Sequence, residues 1–231
     1  MPRKKFDLST LPKYPDLSIE KRLWDAGWAH IAGIDEAGRG ALAGPVCAAA
    51  VILPNLPKHT RILAGVRDSK QMTQLQRERF EPLIKEIAIS WGIGFASAAE
   101  IDEIGILPAT RLAAKRATDS LSLTPDYLIT DYLKLPEIDL PQEHFVKGDM
   151  RSLTISSASV LAKTARDAQM RLLDEQVPGY DLSRHKGYGT KAHRAAIQKL
   201  GKSSIHRQTF TLKEMLGPGY PAPTDSCSLI D

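Results

Sequence analysis

The chain has 231 residues, 42% of them apolar and 25% charged, the balance of a globular protein with a substantial core. No apolar run approaches the roughly 20 residues that span a bilayer, and the basic start Met1-Pro2-Arg3-Lys4-Lys5 has no apolar stretch behind it, so neither a membrane helix nor a secretory leader is expected. The net charge of +4 suits a polyanionic partner without demanding one, and Cys47 and Cys227, far apart and without metal-ligand neighbours, read as reduced thiols of a cytoplasmic protein.

In chain order, residues 1–20 are polar and proline-punctuated and read as an arm, residues 21–216 as one domain, and residues 217–231 as a loose tail. Ala29 to Ile34 is a short apolar run, predicted to be a strand that feeds an acidic, glycine-rich turn. Pro45 to Leu53 is a second strand, although its alanines leave helix open. Thr73 and Gln76 have the spacing of a capping box, with Phe80, Leu83, Ile84 and Ile87 as the apolar stripe of a helix behind it. Pro82 conflicts with that helix and calls for a kink or a late start. Ile89 to Phe95 reads as a strand, Pro108 opens a helix to about Leu121, and Tyr127 to Thr130 and His144 to Lys147 read as two further strands. A long helix over about Ile155 to Glu175 is stopped by Pro178-Gly179. This order implies an α/β domain on a mixed sheet, the first two strands antiparallel and the later pairs made parallel by helical crossovers.

The candidate chemistry lies at strand ends. In Gly33-Ile34-Asp35-Glu36-Ala37-Gly38-Arg39-Gly40 two carboxylates sit where a buried strand meets a glycine turn. Burying such a pair is costly, and a hard divalent cation such as Mg²⁺ or Mn²⁺ relieves the cost; a solvated acidic turn is the alternative. Asp131 and Asp149 follow the two later strands, so all four acids converge at one rim if their strands are neighbours. Four acids there can hold two ions for phosphodiester hydrolysis. A dinucleotide-binding turn at Gly38-Arg39-Gly40 is excluded, because residues 53–67 contain no acid to meet a ribose.

Basic groups complete the reading. Asp68-Ser69-Lys70 can offer a hydroxyl and an ammonium to phosphate, or serve only as a helix cap. In His185-Lys186-Gly187-Tyr188-Gly189-Thr190 a tyrosine between glycines can present its ring to a sugar or base. His193, His206 and Arg207 add positive or proton-carrying groups downstream. Lys163 and Asp167 have the spacing of a surface ion pair, with Asp167 as an alternative acid. The small face Ser156-Ser157-Ala158-Ser159 suits close packing of the long helix on the sheet.

Together these motifs resemble the ribonuclease HII family. The matching segments are Gly-Ile-Asp-Glu-Ala-Gly-Arg-Gly with Ala-Gly-Pro-Val (33–46), Asp-Ser-Lys (68–70), Asp131, Lys-Gly-Asp (147–149), the run 157–167, His-Lys-Gly-Tyr-Gly-Thr (185–190) and His-Arg-Gln-Thr-Phe (206–210). The resemblance implies a ribonuclease H-like fold, a mixed five-stranded sheet flanked by helices with a C-terminal helical part. It implies a Mg²⁺ or Mn²⁺ site on Asp35, Glu36, Asp131 and Asp149, and hydrolysis of RNA paired with DNA. It further implies that Gly38, Arg39, Gly40 and Tyr188 read a ribose 2′-OH at the RNA-to-DNA junction and that Lys70 contacts phosphate. The expected partners are RNA/DNA hybrid and ribonucleotide-containing duplex DNA, bound by a monomer. A sliding clamp is a further candidate partner on which the sequence has no bearing. Departures from the family pattern are Tyr132 for glycine, Gly105 for asparagine, Ser156 and Ser157 for alanines, and Thr209 for serine. A non-catalytic hybrid-binding module on the same fold is the competing reading, disfavoured because all four acids are present.

Overall fold

The computed structural model describes residue 7, residues 11–56 and residues 61–210; the expected tail at 217–231 and Cys227 lie outside these. A first helix, α1 (Ser18–Asp25), begins inside the segment expected as an arm, and its Glu20 is fully buried. Strands β1 (Ile31–Ala37) and β2 (Val46–Ile52) pair antiparallel. Pairing with β1 on one side and with the later strand Ser90–Ala96 on the other settles strand over helix for β2, and all seven of its residues are buried. Alternation sends Val46, Ala48, Ala50 and Ile52 into one core and Cys47, Ala49 and Val51 into the other, so the strand reads as a continuous apolar run.

Helix α2 (Gln74–Ile87) starts at the expected Thr73–Gln76 capping box. It carries Pro82 in its interior without a late start, and both Pro82 and Glu78, whose carbonyl loses its partner there, lie on the exposed side. Strand β3 (Ser90–Ala96) then pairs antiparallel with β2, although a helix lies between them in sequence. Crossover helices therefore did not make every later pair parallel. A short helix, α3 (Ala98–Ile104), escaped the sequence reading; it starts on a capping box of Ser97 and Glu100 and is joined to α4 (Ile106–Asp119) through Gly105. The buried face of α4 is Ala109, Thr110, Ala113, Ala114, Ala117 and Thr118, with Leu112 and Leu121 partly buried against the same core.

Strands β4 (Tyr127–Asp131) and β5 (Gln142–Phe145) add in parallel, giving the order β3-β2-β1-β4-β5. Helix α5 (Leu153–Gln176) crosses one face with α2, while α4 covers the other. Its small N-terminal face lies so close to β1 that a Cβ on Gly33 would come within 2.7 Å of the Ile155 nitrogen. The last helices among the described residues are α6 (Leu182–His185) and α7 (Lys191–Leu200), seated by Leu182, Tyr180, Ile197 and Met170 against Leu42 and Ala43 of the loop after β1. No helix among the described residues is long and apolar enough to cross a membrane.

Candidate active site

Strand β1 carries Asp35 and Glu36 within its last three residues, not beyond its end as the sequence suggested. Its parallel register with β4 sets Ile34 opposite Thr130, so the next residues, Asp35 and Asp131, lie side by side at the carboxyl ends of neighbouring strands. Asp149 sits on a 3-10 turn, Gly148–Met150, just past β5. That turn is tied to β4, because the Gly148 N–H donates to Asp131 Oδ1 at 2.8 Å. All four predicted acids are thus gathered at one rim of the sheet.

The burial of these groups is severe. Asp35 is 4% exposed and Asp149 3%. Asp35 Oδ1 accepts from the Glu36 N–H, but its Oδ2 has no partner, and neither has Asp149 Oδ1. Burial first, then the charges of Glu36 and Asp131, pushes the Asp35 carboxyl well above the carboxylate range. Burial, with Asp131 and Asp68 beside it, pushes Asp149 up to about 7. Burial also raises Asp131 and Glu36, the latter despite its 3.2 Å ion pair with Arg39. Orphaned carboxylate oxygens at this depth cost about 1–3 kcal/mol each or more when charged, and a divalent cation is the group that would satisfy them. Among the described residues no three such side chains close around one point, so the acids form an open set.

Lys70 faces this cluster. Burial opposes its charge, but Asp35, Asp68, Asp149 and Glu36 outweigh that and raise its pKa. Its turn is held from below: Ser159 Oγ bonds Ser69 Oγ at 2.9 Å, and Arg77 donates to the carbonyls of Ser69 and Met72. Arg77 is anchored in turn by Asp167, which Lys163 also pairs at 2.6 Å. Asp167 is 4% exposed, so the expected surface ion pair is a buried bracket for the lysine turn, not an exposed salt link.

The Gly-Arg-Gly turn follows β1 directly. Gly38 has φ +94, and a Cβ there would lie 1.9 Å from the Arg166 Nε, so both backbone and packing require glycine. At Gly40 a Cβ would meet no described atom within 4 Å, and Arg39 is exposed, leaving this part of the turn open to a partner. Two arginines that the sequence did not flag as structural hold the loop. Arg166 donates to the carbonyls of Pro45, Ala43 and Lys186, and Arg207 to those of Gly44, Arg39 and Gly38. Both are fully buried, so Arg207 is not the free positive group expected. The Gly187 carbonyl accepts from the Leu42 and Ala43 N–H groups, which joins the Tyr188 loop to this turn. Tyr188 is half-buried, its ring 5.4 Å from the Arg166 guanidinium and 5.6 Å from Lys163 Nζ.

Most departures from the family pattern are absorbed, the exception being Ser156, whose buried hydroxyl has no hydrogen-bond partner. Tyr132 adopts φ +53, the region glycine favours, with its side chain 75% exposed and so turned to solvent. Thr209 supplies its hydroxyl to Asp102 Oδ1 at 2.6 Å, Ser157 bonds the Leu153 carbonyl, and Gly105 sits at φ +83. A cavity of about 440 Å³ opens behind the glycine turn, lined by Gly44, Phe95, Glu100, Leu173 and Ile205, but none of the four acids borders it.

The five-stranded sheet with acids at its carboxyl rim places the chain in the ribonuclease H-like class of α/β proteins. Solved structures agree on the fold. The ribonuclease HII of Archaeoglobus fulgidus, solved as a complex with PCNA, superposes with a TM-score of 0.65 at 24% identity, covering 79% of this chain and 96% of that one. A ribonuclease HIII solved with Mn²⁺ gives 0.59 at 19% identity, covering 80% and 68%. The sequence model of the family described as Ribonuclease HII matches residues 32–213. The ribonuclease HII of Dehalococcoides mccartyi is 50% identical over 202 residues, 87% of this chain and 95% of that protein. The chain belongs to the ribonuclease HII family, metal-dependent ribonuclease H endonucleases.

Proposed function

We propose that this chain hydrolyses the RNA strand of RNA/DNA hybrids and nicks duplex DNA on the 5′ side of an embedded ribonucleotide, leaving a 3′-hydroxyl and a 5′-phosphate. The observation that carries the proposal is the pair of orphaned carboxylate oxygens on Asp35 and Asp149, set beside Lys70, with the Gly-Arg-Gly turn following β1 directly and joined to the Tyr188 loop.

In this reading Asp35, Glu36, Asp131 and Asp149 hold two Mg²⁺ or Mn²⁺ ions. Such ions, when bound, acidify a water and stabilise charge on the phosphate. The chain's own groups do the rest. Lys70 pairs with a phosphate oxygen, held in place by the Asp68 cap and by Arg77. Arg39 leaves Glu36 for the nucleic-acid backbone. The peptides of Gly38 and Gly40 approach the sugar closely, and the Tyr188 ring packs on it. A reader of the 2′-OH is what distinguishes RNA from DNA at a given position.

The test is a labelled DNA duplex with one ribonucleotide, incubated with Mg²⁺ or Mn²⁺ and with EDTA as control. A metal-dependent nick 5′ of the ribonucleotide supports the whole reading. Cleavage of long hybrid alone keeps the nuclease and removes the junction reader. Binding of hybrid without any cleavage would put the non-catalytic module in its place.

A further inference from the structure

Three histidines of the C-terminal part, His185, His193 and His206, are buried against one another, and the proposed chemistry uses none of them. Their hydrogen bonds fix every ring proton. The Ser203 backbone N–H lies 3.0 Å from His206 Nδ1, with the Ser203 hydroxyl at 2.8 Å. A backbone N–H can only donate, so His206 Nδ1 is bare and its proton is on Nε2. That Nε2 is 3.1 Å from His193 Nε2, which must therefore accept. The proton of His193 is then on Nδ1, 3.0 Å from the Tyr188 carbonyl. His185 stacks on His193 with ring centroids 4.3 Å apart. Its Nδ1 accepts from the Gly187 N–H and its Nε2–H donates to the Tyr180 carbonyl.

We infer that His206 and His193 form a one-way hydrogen-bond relay from Ser203 to the Tyr188 backbone, and that both are positioning residues for sugar recognition by Tyr188. The relay grips one end of the residue, while the Tyr188 N–H donates to the His185 carbonyl at the other. The ring alone is left to face outward over Arg166 and Lys163. The neighbour of His206 in sequence, Arg207, holds the Gly38 and Arg39 carbonyls. Two consecutive residues thus set the Tyr188 loop and the Gly-Arg-Gly turn against each other. All three rings belong to the neutral form in this arrangement. A proton added to His193 or His206 would set two N–H donors face to face, and burial accordingly depresses both pKa values to about 4.

The inference rests on the proposed role of Tyr188, and two measurements separate the two. The first uses the unsubstituted protein and needs no activity. Long-range ¹H–¹⁵N spectra in neutral buffer should show His193 as the Nδ1–H tautomer, the less common one, and His206 and His185 as Nε2–H. His193 found as Nε2–H, or charged, overturns the relay. The second compares cleavage of a single-ribonucleotide duplex with cleavage of a long hybrid. His206→Asn keeps an acceptor for Ser203 near the Nδ1 position but cannot reach His193. The ratio should fall about tenfold, the effect of one well-placed hydrogen bond, and adding Tyr188→Ala should lower it no further. A wild-type ratio in His206→Asn, or effects of the two substitutions that multiply, overturns the positioning role. If the unsubstituted protein cuts neither substrate, the functional reading fails while the tautomers still decide the relay.

Discussion

Asp149 shows what the rim demands of single residues. Its carboxyl is held up to about 7 by burial and by Asp131 and Asp68, so the metal-free folded protein binds a proton there that the unfolded chain releases near 3.8. Stability from this group is fully present below that lower value and lost as pH rises toward 7. Asp149→Asn in EDTA should therefore melt higher than the parent at mildly alkaline pH, with the gap closing in acid. Thermal unfolding across pH reads this directly, and equal melting in alkali would show that the carboxylate is not strained. Asp35→Asn removes a charge but little volume, and should cut turnover by on the order of a thousandfold while hybrid binding in a filter or polarisation assay stays close to the parent. Tyr132 is a third case. Its positive φ is one that side chains adopt at a cost, so Tyr132→Gly should not lower the melting temperature, unlike glycine placed at an ordinary strand end.

At the scale of elements, α5 packs closely on β1, as α4 does on β3. Gly33→Ala would drive a Cβ into the backbone of α5, a kind of overpacking that costs about 1–3 kcal/mol. The melting temperature should drop by about 2–4 °C per kcal/mol for a domain of this size. Unchanged melting would mean that the helix can slide. The strands that place the acids were legible in the sequence, because β1, β2 and β4 are apolar runs with sharp ends, and glycines and acids mark those ends. Asp35, Glu36, Asp131 and Asp149 could therefore be assigned to strand ends before any coordinates, and their shared rim followed once the strands proved to be neighbours. Helix α3 was not legible, since seven residues give no clear periodicity. Nor were the roles of Arg166, Arg207 and Asp167. A charged residue in a sequence reads as exposed by default, and burial of these three depends on carbonyls and partners far along the chain, such as Gly38 for Arg207 and Arg77 for Asp167.

For the whole molecule, the net charge of +4 and the exposed Arg39 and Lys70 imply binding that weakens with salt. Each phosphate neutralised adds about −0.9 to the slope of log affinity against log salt. Arg39→Ala should reduce that slope by about one, since its guanidinium is free to exchange Glu36 for a phosphate. Arg207→Ala should act differently, because its guanidinium is spent on the carbonyls of the glycine turn. Its expected effect is lost affinity with the salt slope preserved. Titrations of hybrid binding at several salt concentrations separate the two, and a shared change in slope would mean that Arg207 reaches the substrate.

One rod, α5, carries several of the attachments around the site. On it, Ser159 meets the lysine turn, Lys163 and Arg166 lie beneath Tyr188, and Asp167 braces the lysine turn from the side. From Ser159 to Arg166 the helix rises about 10 Å. Under the proposed function it would act as a ruler between the bond to be cut and the sugar to be read. On that reading, damage to the acids should slow the cut without displacing it, whereas slack between this rod and its two loops should move the cut along the strand.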